Sequence, residues 1–173
     1  AHFLGLLRRV YEALETTAAD LAGDPLASAV VDPAIERLAA IDADLDHWLP
    51  EGPRTVDSPA AAAYRDRVLA AGAWGGLLAA HHYTRYLGDL SGGQAIGRIL
   101  DRAFELDGNG IAFYDFPEIE KPKIYKDGYR ARLDGLGLSD ADIARVVDEV
   151  KVAFRLNQAL FTELAQNLDA YRR

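Results

Sequence analysis

Arg85, Asp89 and the glycines Gly88, Gly92 and Gly93 crowd into one short stretch, His81-His82-Tyr83-Thr84-Arg85-Tyr86-Leu87-Gly88-Asp89-Leu90-Ser91-Gly92-Gly93-Gln94. The apolar spacing around them is helical, so Arg85 and Asp89 sit one turn apart, at the i, i+4 separation where side chains meet. On an exposed face such a pair contributes only roughly 0.2–0.5 kcal/mol. Beside a strip of bare backbone, the same carboxylate can order water and hand on protons. The glycines supply that strip. Each costs about 1 kcal/mol against alanine inside a helix, so Gly88, Gly92, Gly93 and Gly97 together forfeit roughly 3–4 kcal/mol. Gly88 and Gly92 fall about 40° apart around the axis. They leave backbone that a flat group can approach closely, and a place where the helix can bend. Two helices packing through small residues would use the same spacing, and spacing alone leaves both readings open.

Two further groupings carry chemistry. Lys121, Lys123, Lys126, Arg130 and Arg132 form a basic run in an acidic chain, suited to carboxylate groups of a ligand or to an acidic protein partner, although a charge run more commonly marks a solvated helix face. Phe154, Asn157 and Phe161 recur at helical spacing. The phenylalanines read as ordinary core, whereas a buried amide between them needs hydrogen-bond partners.

Composition narrows the field. The 173 residues are 50% hydrophobic and 27% charged, with a net charge of −8 and an isoelectric point near 4.9. The apolar content rules out disorder, and the lack of a long uncharged apolar run argues against a membrane span. The acidic balance argues against a nucleic-acid footprint. Without cysteine there is no disulfide, thiolate metal site or cysteine nucleophile. No secretory signal is visible, which makes the cytoplasm the default expectation. There is no methionine either, so the chain is expected to start downstream of its translation start.

The elements that must position these groups read as helices. Leu4, Leu7, Tyr11 and Leu14 mark a first helix, ended at Gly23-Asp24-Pro25. Asp32-Pro33 reads as an N-cap and first-turn proline opening one helix through Ile35, Leu38, Ile41, Leu45 and Trp48. Ser58-Pro59 repeats that signal. A long segment follows Gly72 and runs to about Phe104, and Ile111–Pro117 is a short irregular connection. A basic helix covers roughly 122–133. Ser139 with Asp142 opens a last helix, whose expected core stripe is Ile143, Val146, Val147, Val150, Phe154, Leu160, Phe161 and Leu164. Nothing suggests a βαβ unit. The expectation is one all-α domain over residues 1–173.

At the glycine segment the sequence resembles a known family. Tyr83 through Gln94 closely resembles the distal-helix signature of heme oxygenases. Val10-Tyr11-Glu12-Ala13-Leu14-Glu15 resembles the family's second helix, Lys123 to Arg130 its propionate-side helix, and Ala153 to Phe161 its final core helix. The resemblance implies an all-helical bundle with a glycine-kinked distal helix, and oxidative cleavage of heme to biliverdin, carbon monoxide and ferrous iron. Heme would be both substrate and cofactor, with O2 and with electrons from an external reductase or ferredoxin. It implies that Gly88, Gly92 and Gly93 lie against the heme face and that Asp89 holds a proton-delivering water network. Tyr11, Arg85 and Asn157 would support that network. Tyr83, Lys126 and Arg130 would meet the heme edge and propionates, and Phe154 and Phe161 would form pocket walls.

Heme oxygenases take their iron ligand from a histidine on an earlier, proximal helix. Aligned through Tyr11, this chain is expected to start inside the second helix and to lack that ligand. Of His2, His47, His81 and His82, the last two precede the signature on its own helix and are expected to be hydrogen-bonded structural residues; His2 and His47 lie elsewhere. A heme-sequestering module without turnover is therefore an alternative. A non-heme di-iron oxidase is a weaker one, because the histidines and carboxylates do not show the converging pattern such a centre needs.

Overall fold

The computed structural model describes residues 1–168, and all regular structure among them is helical. Helix α1 (His2–Asp20) runs through the middle of the molecule, with Leu6, Leu7, Val10, Tyr11 and Leu14 fully buried. It packs on α3 (Leu38–Trp48), α4 (Pro59–Ala70) and α5 (Gly75–His82), with the single turn α2 (Pro25–Ser28) beside α5. From α5 the chain continues without a break through two π-helical turns, Tyr83–Leu87 and Asp89–Gly93, into α6 (Gln94–Phe104). A 3₁₀ turn (Ala112–Tyr114), α7 (Pro122–Asp134) and α8 (Asp140–Gln166) complete the described chain. No helix among these residues is long and apolar enough to cross a membrane.

The start signals act as side-chain caps. Ser58 accepts from the Ala61 N–H and Ser139 from the Asp142 N–H, replacing orphan first-turn bonds that typically contribute about 1 kcal/mol each. Asp32 caps in the same way, accepting from the Ala34 N–H, but the helix it opens is a single 3₁₀ turn, Pro33–Ile35. The expected continuous helix to Trp48 is thus broken. Glu36 turns extended (ψ 143°), and α3 begins afresh at Leu38. The reason lies in α1: one Glu15 carboxylate oxygen accepts from both the Arg37 and Leu38 N–H groups at 2.8 Å, capping α3 from a distance. A cap from another helix leaves no local signature.

The stripe expected to bury α8 is also corrected. Ile143, Val147, Phe154 and Phe161 are exposed, the two phenylalanines by 59% and 51%; Val146, Val150 and Leu164 are half-buried, and only Leu160 of the stripe is fully buried, beside the buried Glu149 and Ala153. Helix α8 turns inward the side that carries Glu149 and Asn157, because these meet His81 and Arg85 of the long helix. Apolar periodicity marks a hydrophobic face but not what covers it.

Candidate functional site

Three elements bring the polar residues together. Tyr11 comes from the central helix α1, Arg85 and Asp89 from the two π-helical turns, and Asn157 from the inward side of α8. The Tyr11 hydroxyl donates to Asp89 Oδ2. Arg85 Nη2 donates to Asp89 Oδ1 at 3.3 Å and to Tyr11 Oη at 3.2 Å, its Nε also reaches Tyr11 Oη at 3.3 Å, and its Nη1 donates to Asn157 Oδ1. Tyr11 is itself held edge-on by Tyr86 and Phe113, with ring centroids 5.2 and 5.7 Å away.

The Arg85–Asp89 pair is therefore not a solvated surface pair. Its side chains are only 7% and 14% exposed, so the pair is shielded from the water and salt that weaken exposed ones. Burial pushes the Asp89 carboxyl well above the ordinary carboxylate range. A carboxyl whose proton affinity is raised in this way is better suited to proton transfer than an exposed one.

The glycines divide into two sets. A Cβ placed on Gly88 or Gly92 would meet nothing within 4 Å, and both residues are exposed. The helix-packing reading therefore does not apply to them. Gly93 and Gly97 point the other way, toward Tyr114: a Cβ on Gly97 would stand 2.8 Å from Tyr114 Cβ. Gly97 is the packing glycine of the set. The open side continues along the helix as Ser91, Ala95, Ile96 and Ile99, all exposed. Bare backbone with apolar neighbours suits a flat, largely apolar ligand.

The basic run divides in the same manner. Lys126 Nζ donates to Ser91 Oγ at 3.1 Å, which brings one cation to the glycine segment. Lys123 and Arg130 both pair with Asp127, at 2.8 and 3.5 Å. Arg132 is turned away, donating to the Ala29 carbonyl at 2.7 Å. Tyr83 is half-buried, its ring 6.2 Å from that of Tyr129. Phe161 stacks obliquely on Phe3 at 5.6 Å, and Phe154 is exposed beyond it along α8.

The histidines preceding the signature are committed to the interior. His82 Nδ1 lies 2.8 Å from Tyr129 Oη, and His81 Nε2 lies 2.7 Å from Glu149 Oε1. Arg67 Nε donates to the same Glu149 oxygen at 2.8 Å. Burial pushes the Glu149 carboxyl up, but hydrogen bonds from Arg67 and His81 together hold it below its ordinary value. This second cluster, with the buried Tyr64 Oη and His81 Nδ1 that have no hydrogen-bond partner, left no motif in the sequence. Its members come from α4, α5 and α8. His47 stacks edge-on against Trp48 at 4.9 Å, and His2 lines a cleft with Arg155 and Glu163.

His82 makes stability pH-dependent. Burial pulls its pKa from 6.5 to about 3, so the unfolded chain takes up this proton long before the folded one. Its contribution is intact above pH 6.5 and is lost progressively toward pH 3, at up to about 1.4 kcal/mol per pH unit. Urea unfolding at stepped pH values should show this slope, and His82→Gln should flatten it. Equal slopes for both proteins would show that His82 carries its proton in the fold.

A helical protein with a wide-turned glycine helix, one open side and a largely buried hydrogen-bonded network beneath it belongs with the heme-oxygenase-like class. Comparison with known proteins gives the family. The family model described as "Heme oxygenase" matches residues 1–163. Heme oxygenase 1 of Synechocystis sp. is 39% identical over 168 residues, covering 95% of this chain and 70% of the relative. Human heme oxygenase 1 is 39% identical over 170 residues, covering 94% of this chain and 58% of that protein. Among solved structures, heme oxygenase-2 from Synechocystis sp. PCC 6803 in complex with heme and NO superimposes with a TM-score of 0.92 at 34% identity, over 99% of this chain and 73% of that one. Heme oxygenase-1 from the same organism in complex with heme gives 0.91 at 38% identity, over 98% and 78%. This chain belongs to the heme oxygenase family.

Proposed function

We propose that this chain binds heme against the Gly88–Gly92 side of its long helix and cleaves it oxidatively to biliverdin, carbon monoxide and ferrous iron. One observation carries the reading: an open glycine surface lies directly beside the partly buried Tyr11–Arg85–Asp89–Asn157 network. Heme, when bound, supplies the iron that activates oxygen and is itself the ring that is cut. The residues present suit it, since a flat apolar macrocycle needs space above bare backbone and apolar borders.

Gly88 and Gly92 keep side chains out of the volume where oxygen would sit, and Gly93 lets the helix lie close over its support. Asp89 orders water that delivers protons toward the open side. Tyr11 and Arg85 fix which way that carboxyl points, and Asn157 fixes Arg85. Lys126, with Arg130 and Tyr83 at the margin, meets the two heme propionates by charge-assisted hydrogen bonds. Phe154 and Phe161 are apolar walls whose exposure suits cover by the macrocycle. The basic side of α7 offers an acidic reductase or ferredoxin a docking place, and a cytoplasmic setting belongs to the same reading.

A second reading, binding without turnover, is favoured by the engagement of both His81 and His82 in the interior. Hemin titration followed by oxygen and a reductant separates the two. Biliverdin and carbon monoxide are the expected products. A stable hemin complex that releases neither would leave only the sequestering role.

A further inference from the structure

Tyr114 sits where the inward-facing glycines of the long helix point. A Cβ on Gly97 would come within 2.8 Å of Tyr114 Cβ and 3.4 Å of its Cγ; one on Gly93 would stand 3.5 Å from Tyr114 Cδ1 and 3.9 Å from Asp89 Cβ. The ring thus fills a notch that Gly97 must leave open, whereas a Cβ on Gly93 would make only ordinary van der Waals contact, and the ring's edge flanks the same small gap as the stem of Asp89. The turn that carries the ring is pinned from behind. Asp44 of α3 accepts from the Ala112 and Phe113 N–H groups at 2.7 and 2.8 Å, and Phe113 packs edge-on against the tyrosine at 5.0 Å. The supported segment is π-helical, a geometry that occurs mainly as single turns at functional sites, so tertiary contacts must hold it in place.

We propose that Tyr114 is a positioning residue whose ring, seated in the Gly93–Gly97 notch, sets the height of the π-helical segment and with it the placement of Asp89 beneath the open glycine surface. The ring is also one wall of an open cleft of about 380 Å³ bordered by Phe3, Leu4, Trp48, Leu100 and Phe104. Removing it would connect that cleft to the ground under Asp89 and admit water there. The groups that face Asp89 are Tyr11 from α1, Arg85 from its own helix, with Asn157 of α8 behind it, and Tyr114 from the turn, with Asp44 behind it.

The functional arm of this proposal rests on the role given to Asp89 above, so two readouts are taken on the same proteins: the titration of the Asp89 carboxyl by carbon NMR without heme, and the rate of biliverdin formation. Tyr114→Phe keeps the ring and should match wild type in both. Tyr114→Ala should bring the Asp89 titration down toward the ordinary carboxylate range as water enters. It should also slow turnover by about tenfold or more, since small misplacements of a reacting group carry that cost, while hemin affinity stays close to wild type. Gly97→Ala keeps the ring but fills the notch, and should also displace the titration and slow turnover, which guards against a Tyr114→Ala protein that does not fold. An Asp89 titration unchanged in both alanine variants would overturn the proposal. So would a Tyr114→Phe protein as impaired as Tyr114→Ala, which would assign the effect to the hydroxyl. A wild type that makes no biliverdin would defeat the catalytic reading of Asp89 alone, and the carboxyl titration would still decide the role of the ring.

Discussion

Asp89→Ala should still bind hemin with near-wild-type affinity while losing biliverdin formation by about 10²-fold or more, the range that a positioned proton donor contributes. The carboxyl lies under the open glycine side rather than on it, so its loss removes no apolar contact with a flat ligand. What it removes is the acceptor for Tyr11 and for one Arg85 N–H, and a titratable group whose proton affinity burial raises. Reducing equivalents should then leave as hydrogen peroxide or in peroxidase-type oxidation of added substrates, both measurable beside the biliverdin absorbance. Stability should fall modestly, by about 1–3 kcal/mol, because buried donors lose their partner. Asp89→Asn keeps an acceptor and most of the shape but no titrating proton. It should be nearly as stable as wild type and nearly as slow as the alanine variant. Full biliverdin yield from Asp89→Asn would take proton transfer away from this residue.

Gly92→Leu should show an opposed pattern: a melting temperature unchanged or raised, with oxygen binding and turnover strongly impaired. A new side chain at Gly92 meets nothing within 4 Å, so there is no overpacking, and replacing a helical glycine gains up to about 1 kcal/mol of propensity. Its bulk would stand in the volume between backbone and ligand. Gly92→Ala, with only a methyl, should be intermediate. Gly97→Leu is the control on the same helix: it drives a side chain into Tyr114 and should lower stability by about 1–3 kcal/mol or more. Calorimetry and oxygen-binding spectra on the two leucine variants test the contrast. A Gly92→Leu protein that melts much lower yet binds oxygen normally would place this glycine among the packing residues.

The two sets of glycines show where sequence reading stops. Gly88, Gly92, Gly93 and Gly97 look alike as letters, and their summed cost in helix propensity already says that something must lie close to this backbone. Which of them faces a neighbour and which faces open space depends on Tyr114, delivered by a turn that Asp44 holds. The same holds for α8. Its apolar stripe was plain, but Phe154 and Phe161 turn outward because Glu149 and Asn157 are needed inside by His81 and Arg85. The break between Asp32 and Leu38 follows from Glu15 reaching across from α1.

The helical class, most helix starts and, through the distal signature, the family are legible in the amino-acid sequence. These are local properties: caps, prolines and apolar periodicity act within a few residues, and a signature is contiguous. It also singled out Tyr11, Arg85, Asp89 and Asn157, through the spacing of two of them and the resemblance that covers all four. That these four form one hydrogen-bonded network, that burial raises the proton affinity of Asp89, and that Lys126 of the basic run reaches the glycine segment through Ser91 follow from the three-dimensional packing. Burial and hydrogen-bond partnership are properties of space shared by distant segments, and a carboxyl's proton affinity is set by what surrounds it rather than by its neighbours in the chain.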